Sequence, residues 1–219
     1  MTHIKICGIT SLEDALAAIE AGADYLGFNF YPPSPRSILP ETCAEITSVL
    51  RREHPQVQLV GVFVNMPVEQ VKAVLTDCSL HLAQLHGDET AEMAMSFNGQ
   101  AFKAVRLSTD FFADSRMEAD FESHIKLRSQ APGLLVDAAV KGAYGGTGVT
   151  ADWSAAAELA KRVPLLLAGG LTAENVGAAV RQVHPWGVDT ASGVESGPGK
   201  KDALKMKMFV SEVRKIDDR

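Results

Sequence analysis

The sequence predicts a single (β/α)8 barrel, of the TIM type, that spans residues 1–219 as one domain. Eight short apolar segments alternate with eight segments of helical periodicity, a repeat of roughly 27 residues. The first predicted strand ends in Cys7-Gly8-Ile9-Thr10 and lacks the G-x-G-x-x-G turn typical of the main alternative, an open doubly wound sheet. Glycine-containing turns follow the seventh and eighth predicted strands instead, which favours a barrel.

The predicted elements are short strands, each followed by an amphipathic helix. The strands are mostly apolar, as parallel strands buried on both faces usually are, and they cover residues 3–7, 25–30, 58–64, 80–86, 102–107, 133–137, 163–168 and 186–189. The helices cover residues 11–21, 40–51, 67–76, 89–97, 112–128, 153–162, 173–182 and 202–215. Pro40 and Pro67 stand where helices begin, a favoured position for proline. Ser11 precedes Asp14 by three residues, an arrangement close to a capping box.

The composition is that of an ordinary globular protein, with 46% hydrophobic and 22% charged residues. The formal net charge of −6 argues against a nucleic-acid-binding protein, which usually carries a basic face. The three cysteines form no C-x-x-C motif, and the six histidines show no spacing typical of a metal site. No apolar segment approaches the ~18 residues that cross a bilayer, and no signal peptide is recognisable. We therefore expect a reduced, cytoplasmic, metal-free protein with no membrane or nucleic-acid partner.

Two turns predict a site for a phosphorylated small molecule. Gly169 and Gly170 follow the seventh predicted strand, and Ala191, Ser192 and Gly193 follow the eighth. Glycine lacks a Cβ, so backbone N–H groups can converge on phosphate oxygens, and a short helix beginning near Ser192 would add its positive N-terminal end. Taken singly, these glycines are equally typical of tight turns, but their position at adjacent strand ends favours phosphate binding.

The turn after the third predicted strand differs from these two. It reads Val64-Asn65-Met66-Pro67 and contains no glycine. A two-fold repeated barrel that binds two phosphates would need a second glycine turn there. The sequence therefore predicts a substrate with one phosphate rather than two.

Cys7 and Asp137 are the predicted proton-transfer pair. They end the first and sixth predicted strands, and residues at the C-terminal ends of barrel strands face the active-site mouth. A thiolate can accept a proton and a carboxylic acid can donate one, and the two strands lie on different sides of the mouth. Separately, such a cysteine is more often a small buried residue, and such an aspartate a helix cap. The combination of the two favours catalysis.

Arg36 is the predicted carboxylate-binding residue. It lies in the loop of residues 30–37, which three prolines stiffen, and a guanidinium group binds a carboxylate through two hydrogen bonds. The alternative is a solvated surface arginine. His86 also ends a predicted strand, and we expect a packed polar residue at the rim. The glycine-rich residues 138–149 are predicted to close over the ligand.

Several motifs spread over essentially the whole chain are similar to those of one enzyme family. They are K-I-C-G-I-T at residues 5–10, G-F-N-F at 27–30 leading to S-P-R at 34–36, G-V-F-V-N at 61–65, Q-L-H-G at 84–87, G-G-T-G at 145–148 with D-W at 152–153, L-A-G-G-L at 167–171, and G-V-D at 187–189 followed by S-G-V-E at 192–195. With these motifs the chain resembles phosphoribosylanthranilate isomerase, an enzyme of tryptophan biosynthesis, which makes an aromatic amino acid.

The resemblance implies a barrel isomerase without a cofactor, in which Cys7 is the general base and Asp137 the general acid. It implies that Arg36 binds the anthranilate carboxylate and that the turns at residues 169–170 and 191–193 bind the phosphate. The expected reaction is an Amadori rearrangement of N-(5-phosphoribosyl)anthranilate. One departure concerns residues 189–193, which read D-T-A-S-G where D-V-S-S-G is expected. It puts in doubt a side-chain hydroxyl contact to phosphate, because the backbone donors remain.

Two other interpretations stay open at this point. A related isomerase of histidine biosynthesis performs the same chemistry on a substrate with two phosphates, and it is expected to carry aspartate in place of Cys7. A barrel without catalytic activity, which only binds a phosphorylated metabolite or a partner protein, would need neither Cys7 nor Asp137. The sequence is compatible with a monomer or a homodimer.

Overall fold

The structure, a computed structural model that describes residues 1–107, 132–137 and 153–218, contains a closed barrel of eight parallel strands. The strands are β1 His3–Cys7, β2 Tyr25–Asn29, β3 Gln58–Phe63, β4 Leu82–Leu85, β5 Ala101–Arg106, β6 Leu134–Asp137, β7 Leu165–Ala168 and β8 Gly187–Thr190. They follow one another around the barrel in chain order, and β8 closes it against β1 with Lys5 opposite Asp189. The predicted barrel is therefore confirmed.

The predicted strand ends are correct to within two residues. The largest differences are the starts of β4 and β7, which lie at Leu82 and Leu165 rather than at residues 80 and 163. The N–H of Leu80 closes the preceding helix by donating to the carbonyl of Leu75 at 2.9 Å, so Leu80 is not in the ladder. Pro164 has no N–H to donate, which delays the start of β7.

Each helix among the described residues follows a strand of the chain. They are α1 Leu12–Ala21, α2 Pro40–Glu53, α3 Val68–Asp77, α4 Ala91–Met95, α5 Ser154–Ala160, α6 Val176–Val183 and α7 Ala203–Asp217. The predicted cap is confirmed, because Ser11 Oγ accepts from the N–H of Asp14 at 3.1 Å. Pro40 is the first residue of α2, whereas Pro67 lies one residue before α3. The predicted helix 112–128 and the predicted closing loop 138–149 lie outside the described residues.

The segment between β8 and α7 contains one element that the sequence analysis predicted and a strand pair that it did not. A 3₁₀ turn, Ser192–Val194, is the short helix expected near Ser192. A small antiparallel pair, β9 Glu195–Gly197 and β10 Lys200–Lys201, follows it and then leads into α7. This pair places two charged side chains, Glu195 and Lys201, beside the barrel mouth.

The apolar core has two parts, which follow from the alternation of side chains along each strand. Ile4 and Ile6 of β1 belong to the larger part, between the barrel and its helices. The smaller part fills the barrel interior with Tyr25, Val60, Leu82, Phe102, Ala104, Leu135, Leu166 and Ala168. At the N-terminal end of the strands, the rings of His3 and Trp186 stack at a centroid distance of 4.2 Å. The interior is thus packed at that end, which leaves the opposite end for a site.

Among the described residues, no helix combines the length and the apolar character needed to cross a membrane. The same part of the chain holds no cluster of three or more His, Cys, Asp or Glu side chains arranged to hold a metal ion. All three cysteines are free thiols, and Cys43 and Cys78 are fully buried.

Candidate active site

A cavity of about 530 Å³ opens at the C-terminal ends of the barrel strands. Cys7 at the end of β1 and Asp137 at the end of β6 both line it, and these strands are not neighbours in the barrel. The other predicted site residues that line it are Arg36, Gly169, Gly170, Ala191 and Ser192. The structure therefore brings seven of the eight predicted site residues to one cavity.

The turn after β7 depends on two glycines with left-handed backbone conformations. Gly169 has φ +104° and Gly170 has φ +65°, values that side chains with a Cβ rarely adopt. The side chain of Asn175 orders the turn from behind, because its Oδ1 accepts from the N–H of Thr172 at 2.9 Å and its Nδ2 donates to the carbonyl of Gly170 at 3.0 Å. The backbone at Gly169 and Gly170 is thereby held along the cavity wall.

Gly193 is the predicted site residue that does not line the cavity. It lies in the 3₁₀ turn after β8, where an added Cβ would overlap the carbonyl oxygen of Leu171. The hydroxyl of Thr190 donates to that same oxygen at 2.8 Å. The absence of a side chain at Gly193 thus lets the turns after β7 and β8 pack directly against each other.

Arg36 is held at the mouth by an ion pair that the sequence analysis missed. Its Nε and Nη2 donate to the two oxygens of Glu195 at 2.8 and 2.7 Å. Glu195 also accepts from Lys201 Nζ at 2.9 Å, so two cations share one carboxylate. Burial by itself raises the pKa of Glu195, but the hydrogen bonds from Arg36 and Lys201 outweigh it and hold this pKa below the ordinary value. The cluster keeps a net positive charge at the cavity edge.

A second buried ion pair lies next to Cys7 and was also missed. Lys5 is fully buried, and its Nζ donates to Asp189 Oδ1 at 2.7 Å. Asp189 itself lines the cavity. Strand periodicity would have indicated this position, because Ile4 and Ile6 pack outward and so place Lys5 and Cys7 together on the inner face of β1. Its partner on β8 has no comparable signal in the sequence.

His86 was expected to be a packed polar residue at the rim. In the structure it also lines the cavity. Its Nδ1 contacts the side-chain amide of Gln84 at 2.8 Å. Burial is the main cause that lowers the pKa of His86, and the positive charges of Lys5 and Arg106 add to it against the opposite effect of two carboxylates. His86 is therefore a neutral imidazole at neutral pH.

The turns after β3 and β4 are joined by a buried carboxylate. Glu89 Oε1 accepts from the N–H of Asn65 at 2.7 Å, and its Oε2 accepts from the N–H of Gly87 at 2.8 Å. Lys103 Nζ donates to Glu89 Oε2 at 3.1 Å and also to the carbonyls of Leu85 and Gly87. Asn65 takes φ +52°, a left-handed conformation that asparagine tolerates better than most residues. Asn65 therefore adopts the left-handed conformation for which a turn usually needs glycine.

The chain is similar to one enzyme family over nearly its whole length. Residues 4–212 match the family model described as N-(5'phosphoribosyl)anthranilate (PRA) isomerase. An N-(5'-phosphoribosyl)anthranilate isomerase of Pelobacter propionicus is 45% identical over 210 residues, which cover 96% of this chain and 94% of that protein. The enzyme of the same name from Geotalea uraniireducens is 45% identical over 98% of this chain and 99% of its own length.

Solved structures agree with the sequence relatives. The crystal structure of phosphoribosyl anthranilate isomerase from Thermotoga maritima has a TM-score of 0.83 at 40% identity, covering 98% of this chain and 100% of that chain. A phosphoribosyl anthranilate isomerase in complex with reduced 1-(o-carboxyphenylamino)-1-deoxyribulose 5-phosphate has a TM-score of 0.80 at 38% identity, with coverage of 98% and 100%. Another neighbour consists of monomers made from the dimeric Thermotoga maritima enzyme. The family match, the relatives and the barrel agree: this chain belongs to the N-(5'-phosphoribosyl)anthranilate isomerase family.

Proposed function

We propose that this chain converts N-(5'-phosphoribosyl)anthranilate to 1-(2-carboxyphenylamino)-1-deoxyribulose 5-phosphate, a step of tryptophan biosynthesis, with Cys7 as general base and Asp137 as general acid. The observation that carries the assignment of roles is that both side chains line one cavity from strands that are not neighbours. A sugar bound between them has an acid on one side and a base on the other. The cavity volume of about 530 Å³ is within the usual range for a small-molecule site.

The two ends of the substrate are bound by different kinds of groups. The backbone of the turns at residues 169–170 and 191–192 binds the phosphate, because N–H groups and the N-terminal end of a short turn favour an anion. Arg36 binds the anthranilate carboxylate. Two of its N–H groups are taken by Glu195, and a guanidinium carries five, so donors remain for a ligand. Anchoring both ends positions the pentose between Cys7 and Asp137.

The chemistry is a hydrogen shift from C2 to C1 of the sugar, carried out as separate proton transfers. Asp137 donates a proton to the ring oxygen, and the bond between that oxygen and C1 breaks as the nitrogen lone pair forms a C=N bond. The Cys7 thiolate then removes the proton from C2, and the electron pair of this C–H bond forms the enolamine and neutralises the nitrogen. Protonation at C1 and loss of the enol proton give the ketone. The substrate nitrogen accepts the electrons, so the sequence of steps balances without an oxidant or reductant.

A substrate with two phosphates is the principal alternative, and the turns after β3 and β4 count against it. Their N–H groups at Asn65 and Gly87 are already bound by the Glu89 carboxylate. A second phosphate at this place would meet a buried negative charge instead of open donors. Turnover measured on both substrates separates the two functions, and we expect activity on the anthranilate substrate alone.

The test of the residue roles is turnover of the pure protein and of two variants, without added metal. Cys7→Ala and Asp137→Asn should each lower kcat by about 10²–10⁴-fold while changing KM far less, because each removes one proton-transfer group. Cys43→Ala is the matched control, since this thiol is fully buried in α2 and does not line the cavity. A Cys7 or Asp137 variant that keeps a near-normal kcat would remove that residue from its role. Rescue of a tryptophan auxotroph that lacks this single step tests the activity itself.

A further inference from the structure

Lys5 is a buried cation, and its ion pair with Asp189 uses only part of its hydrogen-bonding capacity. Its side chain has no exposed surface, and one hydrogen bond, to Asp189, accounts for one of the three N–H groups that an ammonium carries. Lys5 and Cys7 lie two residues apart on β1, so their side chains project from the same face of the strand. That face is the barrel interior, beneath the cavity.

The position of Gly27 shows that the Lys5 nitrogen and the Cys7 sulfur are close together. Gly27 lies opposite Cys7 in the pairing of β1 with β2. A Cβ built on Gly27 would lie 2.7 Å from Cys7 Sγ and 3.0 Å from Lys5 Nζ, closer than real Cβ contacts allow. Both atoms therefore occupy the space that any side chain at this position would fill, and glycine is needed for them to meet.

The electrostatics of Lys5 agree with this geometry. Burial by itself lowers the pKa of Lys5, but the negative charges of Asp189 and Cys7 outweigh it and raise this pKa above the ordinary value. Lys5 therefore stays an ammonium in the barrel interior. Its positive charge therefore lies in the same space as the Cys7 sulfur.

The remaining charged groups around Cys7 come from other elements. Among the described residues, they are Arg36 from the loop after β2, Glu195 and Lys201 from the β9–β10 pair, Asp189 from β8 and, across the cavity, Asp137, His86 and Arg106. Arg36 and Lys201 also act on Cys7, but they share Glu195 between them. Their positive charges are thus partly neutralised, whereas the Lys5 nitrogen and the Cys7 sulfur border the same space at Gly27.

We propose that Lys5 is a positioning residue for catalysis, whose buried ammonium lies between Asp189 and Cys7 and holds the Cys7 sulfur as the thiolate that removes the C2 proton. The inference rests on the proposed role of Cys7 as the base. Asp189 has the complementary task of keeping Lys5 charged and in place. Lys5 does not touch the substrate and acts only through Cys7.

Lys103 is a matched buried lysine elsewhere in the barrel. It too is nearly fully buried and pairs with one carboxylate, Glu89, at 3.1 Å. Its other contacts are the carbonyls of Leu85 and Gly87, which neither titrate nor react. Replacing Lys103 therefore imposes the same kind of structural cost as replacing Lys5, without a change near Cys7.

The experiment is the pH dependence of Cys7 alkylation by iodoacetamide, followed by intact mass. Cys43 and Cys78 are fully buried, and the Cys7→Ala variant supplies the background rate. Lys5→Met should move the midpoint of the alkylation profile up by about one pH unit, because loss of the cation favours the neutral thiol. At a pH below the midpoint, this shift makes alkylation about tenfold slower. Lys5→Met/Asp189→Asn leaves no unpaired buried carboxylate and so protects folding; it should shift the midpoint in the same direction by less. Lys103→Met should leave the midpoint unchanged.

A parallel measurement separates this inference from the proposed function. The acid limb of kcat/KM against pH should move with the alkylation midpoint in each variant. A folded Lys5→Met or double variant with an unchanged midpoint, while Cys7→Ala is inactive, overturns the role of Lys5 and leaves Cys7 as the base. A midpoint that shifts while the acid limb stays in place supports the coupling of Lys5 to Cys7 and overturns Cys7 as the base.

Discussion

The turns after β7 and β8 and those after β3 and β4 lie on opposite sides of the barrel mouth. On the first side, Gly169, Gly170, Ala191 and Ser192 line the cavity. On the second side, two backbone N–H groups converge on the buried carboxylate of Glu89 and bind it. The glycine backbone at the strand ends therefore borders the cavity on one side, whereas on the other side the N–H groups of Asn65 and Gly87 bind an internal anion.

This difference predicts that the turns on one side serve ligand binding and that those on the other side serve the stability of the fold. An internal anion that satisfies backbone donors makes them part of the fold, because a buried N–H without a partner is costly. Donors that line a cavity can instead bind an external anion such as phosphate. We therefore expect substitutions in the turns after β3 and β4 to lower the free energy of unfolding, and those in the turns after β7 and β8 to raise KM.

The largest effect is expected from Glu89→Ala. This variant leaves Lys103 charged and buried without its carboxylate, which should lower the free energy of unfolding by about 3–5 kcal/mol. Urea denaturation measures the loss, and KM determined well below the unfolding midpoint should stay near the value of the unchanged protein. Glu89→Gln, which keeps one acceptor oxygen, should be destabilised less. A Glu89→Ala protein of normal stability with a raised KM would contradict the assignment of this side to the fold.

Gly193→Ala should have the next largest effect, and it should appear on KM. The added Cβ would overlap the carbonyl oxygen of Leu171, so the turns after β7 and β8 must move apart. Loss of one hydrogen bond to a charged phosphate oxygen costs about 1.5–3 kcal/mol, which is a rise in KM of roughly 10- to 150-fold. Steady-state kinetics measure the rise in KM, and competitive inhibition by inorganic phosphate measures the weaker binding of the phosphate group. An unchanged KM would show that these turns do not bind the phosphate.

Gly170→Ala should have the smallest effect of the three. No atom lies within 4 Å of the place of an added Cβ, so the cost arises from the backbone at φ +65°. Alanine in this conformation should lower the free energy of unfolding by about 1–2 kcal/mol and shift the N–H groups of the turn only slightly. Gly99→Ala is a matched control, since Gly99 has φ +81°, equally open space and no place in the cavity lining. Both should lose stability alike, and only Gly170→Ala should raise KM.

Much of this architecture could be predicted from the sequence because its signals are local. Strand and helix periodicity extend over a few residues, and they located the strands whose last residues are Cys7 and Asp137. The partners of Arg36 and Lys5 could not be predicted in the same way. Arg36 binds Glu195, which is 159 residues away, and Lys5 binds Asp189, 184 residues away. No local pattern connects such positions.

The alternation of apolar strands and amphipathic helices by itself determined a barrel, the side on which its site lies and the residues at its strand ends. Only the tertiary structure decided which charges become partners, because closing β8 against β1 brings Asp189 to Lys5 and the β9–β10 pair to Arg36. The fold depends on those pairs because they are buried, and a charge removed from water must be compensated by a neighbour within hydrogen-bonding distance. The sequence lists the charged side chains, and the closed barrel selects their neighbours.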